Sequence, residues 1–460
     1  MADGAVENSV ETGATAALAP ALARFATALP AEALSETALA VARLSLLDFA
    51  AVALAGRQEP VARILRGEAL RDGGRGEAGI IGGDPGARVP ARAAAMTNGA
   101  TGHALDYDDT HFGYVGHPSV AVFPAALAMA EAEGRTGREA LEAALIGMEA
   151  ACRVGAWLGT QHYNHGFHQT ATAGAFGATL AAARLLGLDA ETAAMALGIA
   201  ATRASGLKSQ FGTMGKPLNA GIAAANGIEC ARLAAAGLVS RPEALDGPQG
   251  FGETHAGENA APSAVLDGLG ERWQFEAVSH KFHACCHGLH AMLEALGALR
   301  AGGLSVAELS AVIVTVNPRW LRVCNIERPA TGLEAKFSYR LTAAMALTGR
   351  DTGALESYSD AACADPDLLA LRERVSVETD PSIADTAAQV VIHCRDGTTR
   401  DAAHDLAAAE PLSVRSQKVR AKAGTLLGEA HAGAITARIE GFAGDPAPFT
   451  LMAFLAKPRQ

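Results

Sequence analysis

From about residue 15 to residue 270, apolar residues recur at helical spacing in a succession of Ala-rich segments. An apolar residue at every third or fourth position marks one face of an α-helix. Short breaks that contain Gly or Asp, such as Gly187-Leu188-Asp189, separate the segments. This part of the chain is therefore predicted to be all helical. Its clearest helices are predicted over residues 124–133, 138–158 and 171–186.

The pattern changes after about residue 272. Residues 311–317 (AVIVTVN) are rich in β-branched side chains, and residues 375–378 alternate as strands do. Residues 389–394 run into Asp396-Gly397, a strong signal for a hairpin turn before Thr398-Thr399. A helical pattern over residues 334–347 lies between the first two strands. We therefore predict a small α+β unit.

The end of the chain returns to helical patterns, over residues 414–423 and 429–440. This return indicates that the chain comes back to complete the first domain. The predicted fold class is mainly α, with a large all-helical domain and a smaller α+β domain. The predicted bounds are 1–272 with 412–460 for the helical domain and 273–411 for the α+β domain.

Length and composition bear on the number of domains, on membrane helices and on the cellular location. A chain of 460 residues is long enough for two or three domains. Ala carries much of the 49% hydrophobic fraction, and even the most apolar stretch, residues 40–56, contains Arg43 and Asp48. A membrane span needs about 20 predominantly apolar residues, so we predict no membrane helix. Seven cysteines without a repeating spacing, and an N-terminus without the layout of a signal peptide, favour a reducing cytoplasm.

The charge balance limits the partners. A net charge of −11 argues against nonspecific binding to nucleic acid, because no basic face is available to neutralise phosphates. An anionic substrate remains compatible with this charge, since a few buried Lys, Arg and His side chains can form a local positive pocket. We therefore expect a small-molecule substrate, no nucleic acid and no membrane partner.

The first candidate chemistry lies in residues 98–111 (NGATGHALDYDDTH) and in the HPS at residues 117–119. His117 stands before a proline, which favours an extended or turn conformation, and such a loop can aim an imidazole into a cleft. We predict that Asp106 and His117 form an orienting or acid-base pair. Helix capping is the alternative for three neighbouring residues, Asp108, Asp109 and Ser119.

Residues 161–172 (QHYNHGFHQTAT) lead into an Ala/Gly-rich helix. Their three histidines at a spacing of three suggest a metal, but zinc ligands are usually better separated and need a backbone that lets them converge. We instead interpret His168, beside Thr170 at a helix start, as a substrate-facing group. Helix N-termini favour anions.

Residues 211–221 (FGTMGKPLNAG) superficially resemble a phosphate-binding loop. Only two residues separate the glycines, however, and Pro217 follows Lys216 where Ser or Thr would bind magnesium. Pro217 suits the first turn of a helix. Lys216 is then either an ordinary surface lysine or a lysine that binds a carboxylate.

Residues 279–290 (SHKFHACCHGLH) lie at the predicted domain boundary. The His and Cys residues between 283 and 290 make a metal site conceivable, but on one helix only residues three or four apart share a face. The alternative is a junction loop in which Lys281 and a nearby His or Cys complete a pocket. Cys285 is then buried packing.

Other chemistries lack their signatures in this chain. No G-x-G-x-x-G follows a predicted strand, and there is no G-x-S-x-G elbow. Redox enzymes that bind dinucleotides and serine hydrolases are therefore disfavoured.

Four segments together resemble the MmgE/PrpD family, which includes 2-methylcitrate dehydratase, cis-aconitate decarboxylase and iminodisuccinate epimerase. They are NGATGHALDYDDTH with HPS, GFHQTATAGAFGATLAAARLLGLD, FGTMGKPLNAGIAAANG and KFHACCHGLHAMLEAL, with support from EAKFSYRLTAAMAL and the later strands. The matches follow one order over nearly the whole chain. The resemblance implies a large helical domain built from both chain ends, a smaller α+β lid domain, an active cleft between them and a homodimer.

The resemblance also implies the functional residues. Catalytic roles are expected at the matching positions Asp106, His117, His168, Lys216 and Lys281. Substrate binding is expected of Lys216, Lys281, Thr170, Cys286 and His290. Neither a metal nor a cofactor is expected.

Two positions depart from the family's pattern. Asn219 stands where the family often has His after Lys-Pro-Leu. Cys286 stands where the decarboxylases resemble one another in having a catalytic His. The second departure argues against decarboxylation of cis-aconitate.

The resulting hypothesis is a cofactor-independent lyase for a small polycarboxylate, with 2-methylcitrate dehydratase as the nearest activity. Lys216 and Lys281 would hold substrate carboxylates while His117 or His168 moves a proton at the adjacent carbon. Asp106 would orient His117 and favour its protonated form. The alternatives are a cis-aconitate decarboxylase-like or iminodisuccinate epimerase-like reaction and, in a different class, a non-catalytic metal-binding protein that uses the His/Cys cluster at 283–290.

Overall fold

The computed structural model describes residues 17–256, 261–445 and 449–456. Helices dominate it, as the sequence predicts. The first ten helices are α1 Leu18–Ala28, α2 Glu36–Gly56, α3 Pro60–Asp72, α4 Ala91–His103, α5 Pro118–Ala132, α6 Gly137–His165, α7 Gln169–Leu186, α8 Ala190–Arg203, α9 Gly215–Ala235 and α10 Phe251–Ala256. The others are α11 Pro262–Leu266, α12 His290–Ala301, α13 Leu321–Cys324, α14 Gly332–Ala335, α15 Tyr339–Thr348, α16 Asp360–Ala364, α17 Pro366–Arg372, α18 Leu412–Leu427, α19 Glu429–Gly441 and α20 Phe449–Leu455. The strands are β1 Ala78–Gly79, β2 Arg88–Val89, β3 Leu309–Val316, β4 Val375–Thr379, β5 Ala387–Cys394 and β6 Thr399–Asp405.

The prediction that the first half is all helical is wrong in one place. β1 and β2 form a two-stranded antiparallel ribbon, with Ala78 opposite Val89. Glu131 on α5 fixes this ribbon, because its carboxylate accepts a hydrogen bond from the Gly79 backbone N–H at 2.8 Å and pairs with Arg88 at 3.0 Å. Strands of two residues are too short to produce a recognisable alternation.

The predicted helices are present, but several of their ends lie elsewhere. α5 begins at Pro118 and contains Pro124, the residue at which the sequence pattern predicts its start. Proline suits the first helical turn because its missing N–H would have no partner there. The pattern over residues 334–347 is two helices, α14 and α15, because Ser338 caps the second by accepting a hydrogen bond from the Leu341 N–H at 3.3 Å.

α2 is long and apolar enough to cross a membrane by length and composition, but 78% of its most apolar stretch is buried inside the protein. Asp48 lies in the middle of this helix and pairs with Lys422 of α18 at 2.6 Å. A buried ion pair and protein neighbours along most of its length are features of a core helix.

Two buried apolar clusters divide the interior. The larger cluster lies among the helices of the first half and includes Val419 and Ala423 of α18 and Ile435 and Ile439 of α19. The smaller cluster lies between the second sheet and helices α12, α15 and α17. The helices after the sheet thus pack into the larger core, while the domain bounds at 272 and 412 stay a prediction.

The second sheet has the strand order β4-β3-β5-β6. β3 pairs with β4 in parallel, and β5 pairs antiparallel with β3 and β6. The predicted hairpin at Asp396-Gly397 is confirmed: it joins β5 to β6, with Gly397 at a φ of 86° and the Asp396 carboxylate accepting from the Thr398 N–H at 2.9 Å. The chain is therefore mainly α with a small mixed sheet in its C-terminal half.

Candidate active site

The candidate site is built around the loop that joins α4 to α5. Two non-glycine residues of this loop, Asp106 and Val115, have positive φ angles of 51° and 56°. Such backbone is uncommon for residues other than glycine and persists where surrounding contacts determine it. Thr110 supplies one such contact, because its backbone forms a two-way bridge with Ser279 at 2.8 and 2.7 Å. This bridge joins the loop to the segment that carries Lys281.

Asp106 lies between the two predicted lysines. Its Oδ2 is 2.6 Å from Lys216 Nζ and its Oδ1 is 3.0 Å from Lys281 Nζ. Burial raises the pKa of a carboxyl group, but Lys216 and Lys281 outweigh this effect and hold the pKa of Asp106 well below its usual value. The side chain is 42% exposed, so we attribute the low pKa to the lysines. Two cations and one carboxylate leave this trio with a net positive charge.

Lys281 reaches the trio from the buried junction segment. Its side chain is 3% exposed, and its Nζ also donates to the Asp106 backbone carbonyl at 2.6 Å. Burial lowers the pKa of an ammonium group, but Asp106 and Asp108 reverse this and raise the pKa of Lys281. Lys281 is therefore a fixed positive charge behind Asp106.

The nearest carboxylate to His117 is Asp108. His117 Nδ1 lies 2.8 Å from Asp108 Oδ2, whereas its Nε2 lies 3.7 Å from Asp106 Oδ1. Asp108 is thus the closer partner of His117, and the orienting role of Asp106 stays a prediction. The pKa of His117 is lowered to about 4 by burial, although Asp108 opposes this shift. The expectation that a carboxylate keeps His117 protonated is wrong, because loss of hydration outweighs the carboxylate.

His168 occupies the N-cap position of α7, where the sequence places a helix start. Its ring stacks on His103 with centroids 5.8 Å apart, and Asn219 Nδ2 lies 3.3 Å from its Nδ1. Burial, reinforced by His103 and Lys216, lowers the pKa of His168 well below its usual value. His168 is therefore a neutral imidazole. Thr170, in the first turn of α7, accepts a hydrogen bond from the His117 backbone N–H at 3.1 Å.

A cavity of about 750 Å³ opens in front of these groups. Four of the predicted site residues line it: His117, His168, Thr170 and Lys216. Three further cations line it that the sequence analysis did not single out: Lys208, Arg319 and Arg322. Asp385 is the one acidic residue among the lining side chains, and it pairs with Arg319. The cavity therefore suits an anion with more than one negative charge.

The missed cations had only weak signals in the sequence. Lys208 lies four residues before Gly212, the first glycine of the 211–221 segment, and its Nζ lies 3.5 Å from the centroid of the Tyr163 ring. Arg319 follows β3 in Asn317-Pro318-Arg319. The position of Arg319 in a polar turn after a strand was one signal for a binding residue, since loops at strand ends commonly carry such residues.

Three predicted substrate-binding residues do not line this cavity: Lys281, which contacts Asp106, and Cys286 and His290. Cys286 packs against Cys324 with their sulfur atoms 2.9 Å apart. His290 is 1% exposed and lines a separate cavity of about 610 Å³. There Lys418 is already paired with Glu294 at 3.0 Å and Glu410 at 2.7 Å. The geometry therefore gives no support to substrate contact by Cys286 or His290.

Within the described residues, neither histidine cluster considered as a metal site brings three ligand atoms together, although His290 lies 5.0 Å from His283 and 4.8 Å from His287 between ring centroids. His162 Nε2 and Nδ1 contact Thr172 Oγ1 and the His255 carbonyl, both at 2.8 Å, and His165 is exposed. In the second cluster, His283 contacts Thr352 at 2.7 Å and His287 contacts Thr110 at 2.9 Å.

The described ranges contain one group whose ligand atoms lie close together, and its members are His103, Asp106, Asp108 and His117. Two ammonium groups already neutralise Asp106, and Asp108 contacts both imidazoles. A cation there would lie beside Lys216 and Lys281 and be repelled. The donor set therefore fits an anion-binding site better than a metal site.

Comparison with known proteins supports the resemblance. The model of the MmgE/PrpD N-terminal domain matches residues 20–263, and that of the MmgE/PrpD C-terminal domain matches residues 283–438. A cis-aconitate decarboxylase of Aspergillus terreus is 31% identical over 307 residues, which cover 64% of this chain and 62% of the relative. The Homo sapiens cis-aconitate decarboxylase is 30% identical over 335 residues, 69% of this chain and 68% of the relative, and that of Mus musculus is 28% identical over 338 residues, 69% and 67%.

The match thus spans less than two thirds of the fungal enzyme, but the family models follow one another along most of the chain. Both the order of the sequence motifs and these matches lead to one assignment. The chain belongs to the MmgE/PrpD family.

Proposed function

We propose that this protein is a lyase that acts on a small polycarboxylate by proton transfer at a carbon next to a carboxylate. The observation that carries the proposal is the cavity that Lys208, Lys216, Arg319 and Arg322 line together with His117. Cations that are fixed before the substrate arrives stabilise the charge that develops when such a carbon loses its proton.

His117 is the proposed base. It is neutral at pH 7, because its pKa is about 4. Its Nε2 lies 3.7 Å from Asp106 Oδ1, which is beyond hydrogen-bond distance. A base must carry a free lone pair within reach of the proton that it removes. His168, also neutral and on the same cavity, is the proposed second imidazole.

Lys216 and Arg319 are the proposed carboxylate ligands. Lys216 comes from α9 and Arg319 from the turn after β3, so both parts of the chain contribute a cation to the cavity. Lys281 acts through Asp106, since its ammonium group contacts that residue and does not line the cavity. This arrangement supports a role of the α+β part as a lid, and we include that role in the proposal. The proposal also includes the homodimer and the cytoplasmic location that the sequence suggests.

Dehydration of a 2-methylcitrate-like hydroxy acid is the first candidate reaction. A histidine takes the proton from carbon and becomes an imidazolium, a carbon-carbon double bond forms, and the hydroxyl leaves as water after it receives that proton from the imidazolium. Decarboxylation of cis-aconitate is the second candidate, favoured by the names of the relatives. In that reaction a carbon-carbon bond breaks, carbon dioxide leaves, and the resulting carbanion takes up a proton that comes from water through an imidazole. Cys286, at the position of the decarboxylases' catalytic His, weighs against it.

The test is proton NMR of the purified protein in deuterated water with 2-methylcitrate, citrate, cis-aconitate and iminodisuccinate. An unsaturated acid formed from a hydroxy acid establishes a dehydratase, and itaconate formed from cis-aconitate establishes a decarboxylase. Deuterium exchange alone indicates an epimerase. No change in any of the four acids contradicts the proposal for these substrates.

Two variants make this experiment specific. His117→Gln should abolish the observed reaction, because it removes the proposed base. His165→Gln alters an exposed histidine nearby on α6 and should leave the reaction intact. Elemental analysis of the same sample tests the non-catalytic alternative, since stoichiometric zinc or iron would favour a metal-binding protein.

A further inference from the structure

Asp108 lies between two imidazoles at the back of the site. Its Oδ1 is 2.8 Å from His103 Nδ1 and its Oδ2 is 2.8 Å from His117 Nδ1. The side chains of Asp108 and His103 are completely buried, and that of His117 is 10% exposed. The rings of the two histidines meet edge to face with centroids 4.5 Å apart. One carboxylate thus contacts both imidazole rings.

The protonation states follow from the charges. Burial raises the pKa of a carboxyl group, but His103 and His117 reverse this and hold the pKa of Asp108 well below its usual value. Asp108 is therefore an ionised acceptor. A neutral imidazole carries a single N–H, and the nitrogen that faces an ionised carboxylate is the one that keeps it. The Nδ1–H of His117 lies within donor distance of Asp108, although it is not aligned with the oxygen as in a regular hydrogen bond.

The backbone keeps His117 in this orientation. The N–H of His117 donates to Thr170 Oγ1 at 3.1 Å, and Pro118 starts α5 directly after it. The Asp106 φ of 51° turns the chain so that Asp106 and Asp108 face different nitrogens of the same ring. The contacts therefore direct Nε2 towards Asp106 and the cavity.

We propose that Asp108 is a positioning residue, which holds His117 in the Nδ1–H tautomer so that Nε2 stays unprotonated towards the substrate, and that His103 fixes Asp108 from the other side. This inference rests on the proposed role of His117 as the base. A carboxylate that orients a catalytic imidazole and selects its tautomer is a known device in acyl transfer. Here the device serves proton transfer at carbon.

Several other groups surround the imidazole and bear on its titration. They are His103 on α4, Asp106 in the loop, His168 at α7, Lys216 at α9, and Lys281 and His287 from the junction segment. Of all the groups near His117, Asp108 is the one that raises its affinity for a proton most strongly. Loss of its charge should therefore weaken proton binding by His117 further.

The first measurement needs no turnover. In protein labelled with ¹⁵N-histidine, long-range ¹H–¹⁵N correlation spectra show which ring nitrogen of each histidine carries the proton, and the signals that disappear in His117→Gln identify His117. We expect a single Nδ1–H tautomer at pH 7 in the unaltered protein and a mixture of both tautomers in Asp108→Asn. An Nε2–H tautomer in the unaltered protein, or no change in Asp108→Asn, would overturn the inference.

Kinetics then separate positioning from general damage. Asp108→Asn should lower kcat roughly 100-fold or more, the usual contribution of a correctly placed base, with little change in KM. The acidic limb of its pH profile should move to lower pH. Asp109→Asn is the matched control: Asp109 is equally buried in the same loop, but its carboxylate contacts Ser119 at 2.5 Å and no imidazole. Asp109→Asn should leave the His117 tautomer and the acidic limb of the pH profile of kcat unchanged.

The outcomes separate the two proposals. If none of the acids reacts but the tautomer depends on Asp108, the proposed function fails and the positioning role stands. If an acid reacts but Asp108→Asn shifts neither the acidic limb nor the tautomer, the positioning role fails and the proposed function stands.

Discussion

Charge compensation is the main feature of the site at the scale of single residues. Asp106 meets Lys216 and Lys281, and Asp108 meets His103 and His117. Each buried charge thus has a partner, which a low-dielectric interior requires. Asp106 and the ionised Asp108 balance the two lysines, and Lys208 and Arg322 on the cavity wall add positive charge towards an arriving carboxylate.

This excess charge predicts the effect of Lys216→Ala. The variant loses a charge-assisted hydrogen bond to a substrate carboxylate, which contributes about 1.5–3 kcal/mol, and kcat/KM should therefore fall roughly 10- to 150-fold. Most of the loss should appear in KM, because the lysine holds the substrate throughout the reaction. The measurement is steady-state kinetics on whichever acid the NMR panel identifies.

The control for this prediction is Arg92→Ala. It removes the same formal charge from a side chain that is 59% exposed and pairs with Glu229 at 3.2 Å on the protein surface. Its kcat/KM should stay within about threefold of the starting value. An equal loss in both variants would show that net charge alone matters, and an unchanged Lys216→Ala would remove Lys216 from the site.

At the scale of elements, close helix contacts hold the site together. α7 carries His168, and it crosses α6 where Gly147 faces Gly177. A Cβ at Gly147 would lie 2.6 Å from the Gly177 carbonyl oxygen, and a Cβ at Gly177 would meet the Gly147 carbonyl at a still closer distance. Only glycine at both positions lets the two backbones approach in this way.

Gly177→Ala should therefore destabilise the protein. Overpacking of a tight core contact typically costs about 1–3 kcal/mol, so the thermal midpoint should fall by several degrees. Gly433→Ala is the matched control: Gly433 lies within α19 with nothing within 4 Å of its would-be Cβ. This control should stabilise the protein slightly, because alanine favours helices. Equal midpoints for both variants would contradict the close contact.

The elements also show why local patterns predict some features and not others. Period and turn signals predicted α7, β5 and the hairpin at Asp396-Gly397, since these depend on residues close in sequence. The parallel pairing of β3 with β4 depends on residues about 60 positions apart and has no local signal. The break between α14 and α15 depends on Ser338 as a cap, which a helical pattern hides.

The same distinction holds for the whole molecule. The motifs identified Asp106, His117, His168, Lys216 and Lys281, and the structure brings all five within one region. Spacing alone could not show that Asp108 contacts His117, because the sequence of a loop does not tell in which direction each side chain points. Arg319 was missed for a different reason: it lies more than 100 positions from Lys216 and meets the cavity only through the tertiary fold.

Burial of histidines sets the response of the whole molecule to acid. Burial lowers the pKa of His117 and of His162 to about 4, against 6.5 for an exposed imidazole. It also lowers the pKa of six others: His111, His168, His255, His280, His287 and His290. Carboxyl groups with a raised pKa act in the opposite sense, and they are Asp48, Asp109, Glu131 and Glu149. The histidines outnumber them.

We therefore predict that stability falls as the pH decreases from about 6.5 towards 4. In this window the unfolded chain binds protons at His117 and His162 that the folded chain does not bind, and each such proton lowers the free energy of unfolding by roughly 1.4 kcal/mol per pH unit. Asp109, with a pKa of about 7 in the fold, offsets one of them.

The measurement is the thermal midpoint at fixed heating rate between pH 7.5 and 4.5. His162→Gln should reduce the slope of the thermal midpoint against pH, because the low pKa of His162 comes from its burial. This side chain lies outside the cavity. His431→Gln alters an exposed histidine and should leave the slope unchanged. A midpoint that stays constant or rises on acidification would show that the buried carboxyl groups, and not the histidines, dominate the proton balance.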